Sequence, residues 1–178
     1  MGNAGTVKLI AFDVDGTLTD GTLVIGFDGE PVKLFHARDG LGISLAHRMG
    51  YVTGFITGRK SKLVENRGKE LQVDFILMGV SNKVEAMEKI LKDHGLSWKE
   101  AAYMGDDLND LPLMKKVGFS GSPADGVSEA RKASDFVSSL PGGKGAAREF
   151  IETIMKSQHR WKDAVNSYKG KNLKTVMQ

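Results

Sequence analysis

Lys8-Leu9-Ile10-Ala11-Phe12-Asp13-Val14-Asp15-Gly16-Thr17 begins as an apolar run too short for a helix and ends on two carboxylates, a glycine and a hydroxyl. A strand buried on both faces reads as a nearly continuous apolar run, and open α/β sheets hold their sites just beyond the carboxyl ends of such strands. The run recurs along the chain. Val52 to Ile56, Phe75 to Met78, Ala101 to Met104, Gly118 to Ser120 and a short Asp135 to Val137 are the further candidate strands. Helix-like stretches fill the intervals at Leu41 to Met49, Ser61 to Leu71, Leu111 to Val117, Val127 to Ala133 and Ala146 to Lys156. The clearest helix follows Asn82: Val84, Met87, Ile90 and Leu91 share one face, Glu85 stands at capping-box spacing, and Gly95 terminates it. This alternation predicts an α/β fold, a Rossmann-like parallel sheet between two helical layers.

One stretch breaks the rhythm. Thr22 to Ile25 and Pro31 to Phe35 are short β-like runs around Phe27-Asp28-Gly29-Glu30, whose Asp-Gly pair predicts a hairpin projecting after the first strand.

At 178 residues, 40% apolar and 26% charged, the chain has the size of one globular domain. The formal charge of +3 suggests a polyanion partner until it is divided. Lys156, Arg160, Lys162, Lys169, Lys171 and Lys174 against Asp163 give residues 156–178 a surplus of +5, which leaves residues 1–155 at −2. We therefore expect a slightly acidic catalytic body over 1–155, a basic C-terminal tail over 156–178, and no nucleic-acid partner. The absence of cysteine excludes disulfides and thiolate chemistry, and no apolar stretch reaches the ~18–20 residues of a membrane span, so the expectation is a cytoplasmic protein without a membrane partner.

The acids point to chemistry. Asp13 and Asp15 repel each other unless a cation or a shared proton relieves them, and hard oxygen ligands select Mg²⁺; an Asx-type turn ending the strand is the plainer alternative. Gly105-Asp106-Asp107-Leu108-Asn109-Asp110 sets three more carboxylates at a strand end, where helix capping accounts for one of them more easily than for all. Thr57-Gly58-Arg59 combines a hydroxyl with free backbone N–H groups, the makings of a phosphate cradle, although Thr-Gly is also common turn chemistry. Lys83 opens the well-capped helix, where a cation opposes the helix dipole and so invites an anionic partner. A carboxylate nucleophile, a Mg²⁺ site and a hydroxyl-plus-lysine clamp are together the parts needed for phosphoryl transfer through an acyl phosphate.

In this order Asp13-Val14-Asp15-Gly16-Thr17, Thr57, Lys83 and Gly105 to Asp110 resemble the four motifs of the haloacid dehalogenase superfamily. Leu18-Thr19-Asp20-Gly21, Phe35-His36-Ala37-Arg38-Asp39-Gly40, Thr57-Gly58-Arg59-Lys60 and Gly142-Gly143-Lys144-Gly145-Ala146-Ala147-Arg148-Glu149 extend the resemblance to its capless sugar-acid phosphatases. The resemblance implies that Asp13 attacks phosphorus, that Asp15 protonates the leaving oxygen and later activates water, and that Thr57, Gly58 and Lys83 hold the phosphoryl group. It implies a Mg²⁺ site from Asp13, the backbone carbonyl of Asp15 and Asp106, supported by Asp107 and Asp110. The implied substrate is the eight-carbon sugar acid 3-deoxy-D-manno-octulosonate 8-phosphate, a lipopolysaccharide precursor; Thr17 and His36-Ala37 depart from the commonest pattern, and the second departure leaves a nine-carbon acid phosphate as the alternative. Its carboxylate calls for cations, for which Arg38, Arg59 and Arg67 are the candidates, with Asp39 and Gly40 on the Arg38 loop and Arg148 reaching across an interface.

Only 42 residues separate Asp15 from Thr57 and 23 separate Lys83 from Asp106, too few for a folded lid in either gap. Capless relatives close the site with neighbouring subunits. We accordingly expect a homotetramer in which the hairpins pair and the basic tail lies near a neighbour's entrance.

Overall fold

Six short parallel strands form the sheet of the computed structural model, which describes residues 2–24 and 32–168. They are Leu9–Phe12 (β1), Val52–Thr57 (β2), Phe75–Met78 (β3), Ala101–Met104 (β4), Phe119–Ser122 (β5) and Phe136–Val137 (β6), in the order β3-β2-β1-β4-β5-β6. Leu9 to Phe12 run in register with Val52 to Phe55 on one side and Ala101 to Met104 on the other. In this doubly wound order the winding reverses between β1 and β4, so the loops leaving those two strands diverge and open a crevice.

The helices are Ala37–Arg48 (α1), Lys62–Glu70 (α2), Lys83–Asp93 (α3), Leu111–Met114 (α4), Ser128–Ala133 (α5), Ala146–Ser157 (α6) and Trp161–Asn166 (α7). Successive strand side chains point to opposite faces, so each strand feeds two cores. Ile10 and Phe12 join Phe55, Met104, Phe150 and Ile151 on the α1/α6 face, while Leu9 and Ala11 join Ile56, Met87, Tyr103 and Leu113 on the α3/α4 face. The result is the expected three-layer arrangement. Asn82 caps α3 as its position suggests, with Oδ1 accepting from the Val84 and Glu85 N–H groups at 3.2 Å each.

Three boundaries differ from the sequence reading by more than one residue. α1 begins at Ala37 rather than Leu41, because Arg38-Asp39-Gly40 is the first helical turn and not a loop; Asp39 there meets the positive end of the helix. α4 stops at Met114, and β5 continues to Ser122, where Gly121 and Ser122 pair with Phe136 and Val137. The first half of the basic C-terminal segment packs on the body. The Gln158 amide donates to the Ala4 and Val7 carbonyls, both at 2.9 Å, and accepts from the Tyr51 hydroxyl at 2.7 Å, while Ala164 of α7 is fully buried. Residues 169–178 lie outside the described part.

The expected hairpin is represented by a single antiparallel bridge between Val24 and Val32, with the Val32 N–H donating to the Val24 carbonyl at 3.1 Å. Its proposed turn, Phe27-Asp28-Gly29-Glu30, lies outside the described residues. Leu23, Val24, Val32 and Leu34 are exposed.

Candidate active site

The loops after β1 and β4 lie side by side, joined where the Asp13 N–H donates to the Met104 carbonyl at 2.9 Å. Gly16 takes φ +94°, and a Cβ there would sit 2.0 Å from Asp106 Oδ2, so a glycine is required both for the backbone turn and for the approach of Asp106. The Thr17 hydroxyl donates to Asp106 Oδ1 at 2.8 Å and fixes that carboxylate against the first loop. Behind the loop, a Cβ at Gly142 would meet the Gly16 carbonyl at 1.8 Å, and the Gly143 N–H donates to the Thr17 carbonyl at 3.0 Å. The Gly142-Gly143 pair thus forms a backbone wall against the motif that carries Asp13.

Lys83, at the start of α3, enters this crevice and is buried. Its ammonium donates to Asp13 Oδ1 at 2.8 Å, Asp110 Oδ1 at 2.6 Å and the Tyr103 hydroxyl at 3.1 Å, which uses all three of its protons. Asp110 Oδ1 also accepts from the Tyr103 hydroxyl at 2.6 Å, while Oδ2 accepts from the N–H groups of Asp106 at 3.0 Å and Asp107 at 3.2 Å. Asp110 is therefore a brace. It holds Lys83 and the β4 loop at once.

Burial, reinforced by Asp110 and opposed by Lys83, pushes the Asp13 carboxyl up to about 6. Burial likewise pushes Asp106 up to about 7; the Thr17 hydrogen bond resists this, and Asp13, Asp110 and Asp107 add to it. For Lys83, burial disfavours the charge but Asp13 and Asp110 together outweigh it, and its pKa rises. Asp13, Asp106 and Asp110 each bring one oxygen to within 4.8 Å of the others, a crowd of anions facing one ammonium. A hard divalent cation would relieve this repulsion, and the all-oxygen donor set suits Mg²⁺. With the oxygens of Asp110 engaged, Asp13 and Asp106 are the carboxylates fitted to hold it; the side chain of Asp15 turns elsewhere.

An open cleft of about 290 Å³ lies over the cluster, and its lining brings together Asp13, Asp15, Thr57, Gly58, Arg59, Asp106 and Asp107 as the sequence predicted. Gly21, Leu23 and Asn109 complete the wall. Thr57 is buried at the end of β2, where its hydroxyl accepts weakly from the Arg59 N–H at 3.4 Å. Asp107 caps the short turn Leu108–Asp110, its Oδ1 accepting from the Leu108 N–H at 2.7 Å. Asp15 pairs through Oδ1 with Lys33, and its Oδ2 lies 3.9 Å from Arg59 Nε.

The remaining predicted substrate ligands lie elsewhere in the chain. Arg38 is exposed on the first turn of α1. Asp39 is buried beneath it, with Oδ2 accepting from the Gly145 N–H at 3.1 Å and Oδ1 from the Arg148 N–H at 2.8 Å. Each oxygen thus accepts from the start of α6, and Asp39 ties α1 to α6 within the chain. Gly40 makes room for Arg67, whose Nη2 would lie 2.1 Å from a Cβ at that position. Arg67 itself pairs with Glu70 at 2.8 Å and lies 5.7 Å from the Phe35 ring centre. Arg148 pairs with Glu152 at 2.8 Å and stacks on Trp161.

Sequence reasoning missed three participants. Tyr103 is the one hydroxyl inside the apolar β4 run, and its position on the α3 side of the sheet was available from strand alternation. Thr17 closes the first motif, and the sequence assigns its hydroxyl no partner. Lys33 alternates with the exposed Val32 and Leu34, a period-2 signal that directs it inward.

A haloacid dehalogenase-like hydrolase family profile matches residues 73–149. The chain is 38% identical over 164 residues to the 3-deoxy-D-manno-octulosonate 8-phosphate phosphatase of Escherichia coli (strain B / BL21-DE3), covering 92% of this chain and 87% of that one. Its fold is similar to the 3-deoxy-D-manno-octulosonate 8-phosphate phosphatase of Moraxella catarrhalis in complex with magnesium, phosphate and the sugar acid KDO, with TM-score 0.89, 36% identity, and 93% and 95% of the two chains covered. It is also similar to the cobalt-bound form of the Haemophilus influenzae phosphatase, with TM-score 0.89, 34% identity, and coverage of 94% and 99%.

Proposed function

Because the chain belongs to the haloacid dehalogenase-like hydrolases, and among them to the 3-deoxy-D-manno-octulosonate 8-phosphate phosphatases, we propose that it hydrolyses that sugar acid phosphate to Kdo and inorganic phosphate with Mg²⁺. The observation that carries the mechanism is the buried Asp13 held by Lys83 at the sheet's switch point, beside Asp106. Asp13 attacks phosphorus; the Asp13–phosphorus bond forms as the ester bond breaks, and Asp15 gives its proton to the departing sugar oxygen. The resulting Asp15 carboxylate then takes a proton from water as that water attacks the aspartyl phosphate. Phosphate leaves, and Asp13 regains its carboxylate. Thr57 and the neighbouring N–H groups hold the phosphoryl oxygens, and Lys83 keeps Asp13 ionised and aimed. Mg²⁺, held by Asp13, Asp106 and the Asp15 carbonyl, supplies charge neutralisation at the transferring phosphoryl group. Asp107 and Asp110 support the site.

Arg59 lines the cleft and is the cation best placed within one chain for the substrate carboxylate; Arg38 and Arg67 would act from the rim or from a neighbouring copy. We take residues 1–155 as the catalytic unit and 156–178 as its basic appendage. The exposed Leu23, Val24, Val32 and Leu34 support assembly of the hairpins into a homotetramer, to be checked by light scattering. Freedom from cysteine accords with a cytoplasmic setting, and among the described residues no helix is long and apolar enough to cross a membrane.

The deciding experiment is Mg²⁺-dependent phosphate release across eight-carbon and nine-carbon sugar acid phosphates and simple sugar phosphates. Preference for the eight-carbon acid is expected; equal rates on all would overturn the substrate and leave the reaction type.

A further inference from the structure

Lys33 lies in the second run of the predicted hairpin and belongs to none of the four motifs, yet its side chain is only 2% exposed. Burying an ammonium is costly unless a charged partner faces it, and the partner here is Asp15. The flanking Val32 and Leu34 are 52% and 67% exposed, so the segment spends its inward positions on Lys33 and Phe35. The two oxygens of Asp15 consequently differ. Oδ1 is tied to Lys33, whereas Oδ2 is buried without a hydrogen-bond partner, and Arg59 Nε, 3.9 Å from it, is too far to donate. A buried acceptor left unpaired costs free energy that a donor on the reacting molecule would recover.

From this asymmetry we infer that Lys33 is a positioning residue for Asp15: it clamps Oδ1 so that Oδ2 is the oxygen that gives a proton to the departing sugar oxygen and later takes one from water. The inference rests on the phosphatase reading and on Asp15 as its acid and base. It makes the second run of the predicted hairpin part of the catalytic apparatus, independently of any role in assembly.

The test compares leaving groups. A sugar alkoxide needs a proton to depart and p-nitrophenolate does not, and kcat/KM reports only the steps through alcohol release, which excludes hydrolysis of the aspartyl phosphate. Lys33→Met is expected to lower kcat/KM on 3-deoxy-D-manno-octulosonate 8-phosphate by ~10²-fold, the lower end of general-acid contributions, and on p-nitrophenyl phosphate by less than ~5-fold. Product inhibition by the free sugar acid should stay unchanged, and Lys33→Arg should recover most of the loss. Equal losses on both substrates, or a loss matched by weaker product inhibition, would overturn the assignment in favour of a structural or substrate-binding lysine. Should Lys33→Met fail to fold, as judged by circular dichroism, Lys33→Gln takes its place in the same comparison. A wild-type enzyme that releases phosphate from neither substrate would instead remove the phosphatase reading.

Discussion

Asp13 and Asp15 stand two residues apart on one loop and inhabit different worlds. Asp13 is sunk among strand ends, its partners delivered by β4 and by the first residue of α3, and its carboxyl is pushed up to about 6. Asp15 lies half-buried at the rim, held by Lys33 from the second run of the predicted hairpin and approached by Arg59. The proposed nucleophile is thus built into the sheet, while the proposed proton carrier is held by chain that the sheet does not define. One loop can supply two carboxylates with opposite duties because their surroundings, rather than their residue type, set those duties apart.

The severest way to break this contrast is Asp13→Asn. Loss of the nucleophile should lower turnover by ~10⁴-fold or more, with circular dichroism unchanged, as expected for groups acting as a catalytic unit. Asp15→Asn should cost ~10²–10⁴-fold in kcat/KM on the sugar phosphate and distinctly less on p-nitrophenyl phosphate, since only the first needs a protonated leaving group. If both variants respond alike to leaving group, the division of labour is wrong.

Lys83→Met probes the buried side through stability. It leaves Asp13 and Asp110 facing each other without their shared ammonium, and denaturant unfolding should show a loss of ~3–5 kcal/mol. Asp39→Ala, outside the cleft lining of this chain, should cost ~1–3 kcal/mol by leaving the Gly145 and Arg148 N–H groups unpaired, with kcat little changed. A large rise in KM would make Asp39 a substrate ligand.

The smallest effect is on pH dependence. In metal-free protein Asp13 and Asp106 hold protons up to about 6 and about 7, whereas unfolded carboxyls release theirs near 3.8. Their contribution to stability is fully present below about pH 4 and is lost as pH rises through about 6 to 7. Thermal melts with chelator should therefore show this contribution falling over that window, and Mg²⁺ should raise the midpoint more at about pH 7.5 than at about pH 5. A Mg²⁺ effect independent of pH would mean that the cation does not answer to these carboxylates.

The contrast also explains what could be read from the sequence. β1 and β4 were legible almost to the residue, because strands buried on both faces have no choice but to be apolar, and their carboxyl ends display the acids. Asp13 and Asp106 follow from that geometry. The start of α1 was misplaced because Asp39-Gly40 carries a turn signal in isolation; only the N–H groups of Gly145 and Arg148, more than 100 residues away, make a buried carboxylate there worthwhile. Lys33 was passed over for a similar reason. Its partner is 18 residues earlier and across a bend, and local pattern shows which way it faces but not what it meets.

The seat of Gly142 against the Gly16 carbonyl has a consequence for the order of events during synthesis. All four acidic or phosphate-holding motifs have been synthesised by Asp110, but the loop bearing Asp13 has no back wall until Gly142 and Gly143 follow β6. Activity should therefore appear abruptly and late on the nascent chain, only after the last strand of the sheet and the segment behind it have been made.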